Sequence, residues 1–337
     1  MNNLHSNDSS PPEPERPVER RLPFAAWWPF AAGVITGIAL RLAFSGQPGG
    51  AYAAMTASFV YLAPAIVGAV TVYFAERQKR RDWPYYIWAP ILANMFFVIG
   101  TMLIMIEGLL CAVIIAPLFG LIGAVGGLVM GAVCRLTNWP KQTLLGVALV
   151  PLIAGAMESG EELPTRINAV ERTVLVKAKP DAIWRQIMNA PEIQPHEVDR
   201  AWVFRMGMPL PLAGVSRQEA GSPLRRVTMG KQVYFDEVID QSQENRYVRW
   251  SYRFYQDSFP RYALDEHVVV GGHYFDLIDT AYTLTPVEGH SEVKMKITYR
   301  ISTRFNWYAD LVAQLLLGNV EEGNLNFYRE RSERRKP

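Results

Sequence analysis

Four apolar runs, Leu22 to Phe44, Tyr52 to Phe74, Tyr85 to Ile106 and Gly108 to Val133, crowd the first part of the chain and constrain its fold more than any other feature. Each exceeds the roughly 18 to 20 apolar residues a helix needs to cross a bilayer, so the spacing predicts a multi-pass α-helical membrane domain. Trp27 and Trp28 stand where an interfacial aromatic belt would lie, and Arg41 is close enough to the far end of the first run to snorkel toward water. Only Glu107 and Gly108 separate the third and fourth runs, which implies an antiparallel hairpin. Gly123, Gly127 and Gly131 repeat at a spacing that lets another helix backbone approach closely, either inside the bundle or from a second copy in a homodimer.

A fifth run, Thr143 to Met157, is about 15 residues long and marginal for a span. Basic residues precede the first run (Arg16, Arg20, Arg21), join the second to the third (Arg77, Lys79, Arg80, Arg81) and join the fourth to the fifth (Arg135, Lys141). All three groups belong on the cytoplasmic side. If the fifth run spans, the rest of the chain lies on the outer, periplasmic or extracellular, side of the cell membrane. If it is re-entrant or interfacial, the rest is cytoplasmic. Gln142 at one end and Glu158, Glu161 and Glu162 at the other favour five spans and a cytoplasmic amino terminus.

Half of the residues are hydrophobic, and the excess lies before Glu158. A net charge of +2 with no basic run interleaved with aromatics argues against nucleic acid as a partner. The two cysteines, Cys111 and Cys134, both fall in the apolar block, so neither a disulfide framework nor a thiolate metal site is expected. Residues 1–22 are polar and proline-rich and read as a disordered cytoplasmic tail. The organisation expected is this tail, a membrane domain over 23–157, an acidic linker over 158–166 and a folded domain over 167–335.

In that last part the pattern changes to alternation. Val293, Met295, Ile297, Tyr299 and Ile301 alternate with Glu292, Lys294, Lys296, Thr298 and Arg300, the period of a half-buried strand. Asn306 is a candidate N-cap for a long helix in which Trp307, Leu311, Leu315 and Tyr308, Val312, Leu316 form a wide apolar stripe. Upstream, Glu171 to Ala178 reads as a strand, Pro180 opens a short helix, and Pro191 to Asp199 suits another. Strand candidates follow at Ala201 to Met206, Leu224 to Met229, Gln232 to Asp240, Tyr247 to Phe254, Ala263 to Val270, His273 to Thr285 and Glu292 to Thr303. The order predicts an α+β domain: a curved antiparallel sheet around one long C-terminal helix.

Val174 to Trp184, with its strand ending in Ala178, its Pro180 and its aromatic Trp184, resembles the opening of the START-like, Bet v 1-like superfamily that includes polyketide cyclases. The resemblance covers about residues 166 to 333 and implies a helix-grip fold with a cavity for an apolar or amphipathic ligand; only some members are enzymes. No catalytic residue can be carried over from it.

The residues themselves supply cavity candidates. Trp250, Tyr252 and Phe254 share one strand face and point to the same interior as Met295 and Tyr299. A two-residue turn at Gly271-Gly272 would set His267 opposite Asp276. Continuing through a turn at Glu288-Gly289 pairs Tyr282 with Met295, Ile278 with Tyr299 and Asp276 with Ile301, all on the interior face. Tyr308 and Leu311 on the long helix would close the cavity, and the buried Asp276 would need His267 as its partner. That register keeps His267 and His273 apart, so no metal is expected, and no nucleophile or phosphate-loop motif suggests a catalytic site or a cofactor. The expected function is membrane-tethered binding of a lipid or apolar small molecule. The alternatives are a cyclase or aromatase-like enzyme on a membrane-soluble substrate, and a sensor or assembly module whose folded domain docks a protein.

Overall fold

A computed structural model describes residues 26–137, 143–158, 162–219, 222–260, 262–265 and 267–334. The tail 1–22, Lys141, Gln142 and Glu161 lie outside them. The apolar block forms α1 (Trp28–Ala43), a π-helical turn (Ser58–Leu62) running into α2 (Ala63–Gln78), α3 (Tyr85–Leu103), α4 (Leu109–Leu136) and α5 (Thr143–Met157). Three of these helices are long and apolar enough to cross a membrane: Ser58–Gln78, Tyr85–Leu103 and Leu109–Leu136. α1 and α5, at 16 and 15 residues, are shorter.

Small residues set the packing. Gly37 fits against Phe97 and Val67, and Gly126 against the backbone of Ala65. Gly123, Gly127 and Gly131 meet Asn94, Pro90 and Tyr86, so α3 makes the close approach predicted from their spacing within the chain. Arg41 does not snorkel. It is buried, donating from Nε to Glu107 Oε1 at 2.7 Å and from Nη1 to the Phe44 carbonyl at 2.8 Å, because the α3–α4 hairpin supplies a countercharge. At the opposite end of the bundle Tyr86 Oη donates to Glu76 at 2.8 Å and Arg135 stacks over Trp83.

The folded domain runs β1 (Thr165–Val176), α6 (Pro180–Met188), α7 (Pro195–Val198), α8 (Trp202–Arg205), β2 (Pro211–Glu219), β3 (Ser222–Met229), β4 (Tyr234–Gln243), β5 (Tyr247–Arg253), β6 (Phe275–Val287), β7 (His290–Ser302) and α9 (Asn306–Glu333). The sheet is antiparallel in the order β1-β7-β6-β5-β4-β3-β2. In α6, Pro180 fits the first turn, where no N–H is needed, and Ile183 and Ile187, four apart, are both fully buried. β7 buries Val293, Met295, Ile297, Tyr299 and Ile301, the face its alternation predicts.

Three elements differ from expectation. The apolar run Ala201 to Met206 is the short helix α8, since a brief apolar run fits either period. Residues 263–265 and 267–270 form turns and bends rather than a strand. β2 was not foreseen, because Pro211 and Gly214 dilute its alternation; Pro211 is tolerated as the first residue of an edge strand. Asn306 begins α9 but does not cap it: its Oδ1 accepts from the Thr303 N–H at 2.8 Å, fastening the turn before the helix.

Candidate ligand cavity and its junction with the helical bundle

A cavity of about 190 Å³ lies between the concave face of the sheet and α9. It exceeds the roughly 150 Å³ apolar cavity that suffices for benzene. Phe204, Val227, Phe254, Leu277, Met295 and Phe327 supply apolar wall, and Arg225, Glu237, Tyr252, Thr280, Tyr282 and Tyr328 form a polar patch.

The β3–β4 register builds that patch. Arg225 faces Glu237 and Arg226 faces Asp236, and alternation sends the first pair inward and the second outward. Arg225 Nη1 donates to Glu237 Oε2 at 2.6 Å and Nη2 to Tyr328 Oη at 3.2 Å, while its guanidinium lies 5.5 Å from the Trp250 ring centre. Gly214 makes room for it, since a Cβ there would sit 2.1 Å from Nη2. Burial alone would lower the Arg225 pKa, but the neighbouring Tyr328 and Glu237 oxygens outweigh it and hold the guanidinium protonated. Its Nε is buried and has no acceptor among the described residues. One charged N–H thus remains unspent in the cavity wall. Nearby, Tyr252 Oη and Thr280 Oγ1 share a hydrogen bond of 2.5 Å, and burial pushes the Tyr252 hydroxyl well above its ordinary pKa.

Of the residues singled out from sequence, Tyr252, Phe254, Tyr282 and Met295 line the cavity. Trp250 is packed core behind Arg225, 1% exposed. Tyr299 is buried elsewhere and donates to Asp310 Oδ1 at 2.7 Å. Leu311 points outward, 66% exposed, and Tyr308 turns to the helical bundle, where its hydroxyl donates to the Ile114 carbonyl at 2.5 Å.

The predicted facing of Asp276 and His267 does not occur. Leu284 does pair with Val293 and Tyr282 with Met295, but a bulge between Leu277 and Asp279 shifts the register by one. Leu277 therefore meets Tyr299, Phe275 meets Ile301, and Asp276 meets Arg300 on the outer face, because a one-residue slip reverses every side chain. Ile278, at the bulge, leaves the cavity with it. Burial pushes the Asp276 carboxyl above its usual range, opposed by Arg300. His267 instead approaches the helical bundle, with Nε2 3.9 Å from Glu107 Oε1.

That contact belongs to a junction. The Gly108 N–H donates to Asp265 Oδ1 at 3.1 Å, and a crevice of about 80 Å³ is walled by Arg41, Glu107, Cys111, His267 and Val268. Leu264 and Val270 line the larger cavity, so residues 262–265 and 267–272 stand between the two spaces. Glu107, Cys111 and Asp265 bring ligand atoms within 4.8 Å of one another. The Arg41 guanidinium already engages Glu107 at 2.7 Å, which makes this set an ion-paired latch and a poor cage for a cation.

Arg225 and Glu237 were missed because charged residues in strands read as surface. Their signal was symmetry: Arg225-Arg226 and Asp236-Glu237 are placed evenly about Lys231, so any hairpin there pairs them.

The seven-stranded antiparallel sheet closed by a long C-terminal helix is the helix-grip arrangement that the sequence resemblance implies, built from described residues between Thr165 and Glu333. No family model matches the sequence, and no curated protein does. Solved structures similar to this chain include a truncated norcoclaurine synthase from Thalictrum flavum, with 12% identity over 52% of this chain and 99% of that one and a TM-score of 0.33. Others are the Zhui aromatase/cyclase from a Streptomyces species (14% identity, 50% and 96% covered, TM-score 0.31) and Ara h 8.0201 (10%, 50% and 96%, 0.30).

Proposed function

We propose that this chain is a multi-pass membrane protein whose START-like domain holds a hydrophobic small molecule or lipid with one oxygen-bearing end. The observation that carries the reading is the unspent Arg225 Nε–H in the polar patch of a largely apolar cavity. A ligand carbonyl, carboxylate or hydroxyl would accept from it, and the apolar body would fill the space toward Leu277 and Met295. Binding is favoured over a cyclase-like reaction because the acid in the cavity, Glu237, is committed to Arg225, and burial pushes the Tyr252 hydroxyl away from proton transfer near neutral pH. Tethering keeps the cavity beside the bilayer that would supply such a ligand.

If the cavity is the site, filling it should abolish binding while the fold survives. Ala213 lines it from edge strand β2. Ala213→Trp should remove saturable binding of a lipophilic fluorophore by the full-length protein in detergent; unchanged binding would place the site elsewhere.

The junction loops around Gly49 and Gly108 lie at the end of the bundle away from Arg77, Arg81 and Arg135, which supports a folded domain on the side opposite the basic loops. Alkaline phosphatase fused after Lys336 should be active and a fluorescent protein there dark. The reverse pattern would put the domain in the cytoplasm.

A further inference from the structure

α9 presents three different faces along its first turns. Asp310, Ala313 and Leu317 are buried toward the sheet, and Tyr308, Ala309 and Val312 pack on the cluster at the head of the helical bundle. The third face holds Trp307, Leu311 and Leu315, which are 60%, 66% and 62% exposed. Spaced four residues apart, they make one stripe of large apolar side chains left mostly uncovered by the described residues. In water such a stripe is unfavourable, and it is not scattered: it stops at Leu315, and the next residue exposed on α9 is Glu322.

The position of the stripe says what covers it. Trp307 Nε1 donates to Tyr61 Oη at 2.9 Å, and Tyr308 Oη reaches the Ile114 carbonyl, so the first turns of α9 lie directly beside the ends of two spanning helices. α4 has 28 residues and is therefore about 42 Å long, more than the roughly 30 Å of a hydrocarbon core. With Arg135 anchored at the basic end, the stretch back to Ile114 covers roughly 30 Å, which sets Ile114 near the opposite headgroup layer, and α9 is fastened at that depth. Trp27, Trp28 and Trp83 are exposed at the other end of the bundle, where an aromatic belt would sit; Trp307 is its counterpart at this end. We infer that the Trp307–Leu311–Leu315 face of α9 lies in the bilayer interface, so that a helix of the ligand-binding domain is itself a lipid-contacting surface. The inference rests on the membrane reading above. It gives the domain a fixed orientation over the leaflet, since the same helix carries Leu317, Phe327 and Tyr328 into the cavity wall.

Photo-crosslinking of the full chain in phosphatidylcholine nanodiscs tests this. p-Benzoylphenylalanine would replace Leu311, Leu315, Val125 or Glu322 in turn. Val125, 59% exposed in mid-α4, reports on the membrane reading alone. Lipid adducts at 311 and 315 comparable to those at 125, and several-fold above those at 322, are expected. Labelling at 125 with 311 and 315 no higher than 322, or adducts at 311 to a second protein chain, would overturn the inference and leave the membrane reading standing. Absence of lipid adducts at 125 would bring down the membrane reading and the inference with it.

Discussion

Replacing Arg225 with Met should destabilise the folded domain by roughly 3–5 kcal/mol, the usual penalty for leaving one member of a buried ion pair uncompensated. Glu237 is buried beside it and bonded at 2.6 Å, and Tyr328 would lose its donor as well. Thermal unfolding of the full chain in detergent would read this as a large fall in Tm. The double replacement Arg225→Met with Glu237→Leu removes both charges and should recover most of that stability, because apolar groups of similar volume often replace a buried pair at no loss. Ligand retention should not return with it, since the unspent N–H is gone. Recovery of both properties would reduce the pair to a structural device.

A second large effect concerns Glu321, which is fully buried on α9. Its Oε1 accepts from the Ile297 N–H at 3.1 Å, while Oε2 has no partner among the described residues. Burial pushes the carboxyl up to about 8 from an ordinary 4.5, against the pull of the Ile297 N–H and Arg172. The folded state therefore keeps a proton that the unfolded chain has already released. The stability this group contributes is fully present below about pH 4.5 and is lost progressively as pH rises through about 8. The total is on the order of 4 kcal/mol. Glu321→Gln keeps an acceptor for Ile297 and does not ionise. Its Tm should match the wild type near pH 4.5 and exceed it clearly at pH 9; parallel curves would mean that Glu321 is hydrated or paired when charged.

How far the sequence reaches is visible in β6. From the turn at Gly289, whose φ of +69° suits glycine, the pairing of Leu284 with Val293 and Tyr282 with Met295 was legible from alternation alone. The bulge at Ile278 was not, because an extra residue leaves no mark in a pattern of apolar and polar side chains, and everything beyond it changed face. α9 shows a related limit. Its periodicity fixed that Trp307, Leu311 and Leu315 share a stripe, but a stripe does not name its partner, and the sheet took the neighbouring face instead. The helical runs were more legible, since a long apolar helix is marked by length and hydropathy within one segment. Arg41 departed from expectation for the opposite reason: its partner Glu107 lies on a distant hairpin, and only tertiary packing brings them together.

The claim that a START-like cavity holds a hydrophobic ligand beside the membrane meets its most direct test in native mass spectrometry of the full chain released from mild detergent. A discrete small-molecule adduct is expected on the wild type and is absent from Ala213→Trp and from the Arg225→Met, Glu237→Leu pair, with all three proteins folded. A bare chain mass in the wild type, or an adduct equally present in all three, would contradict it.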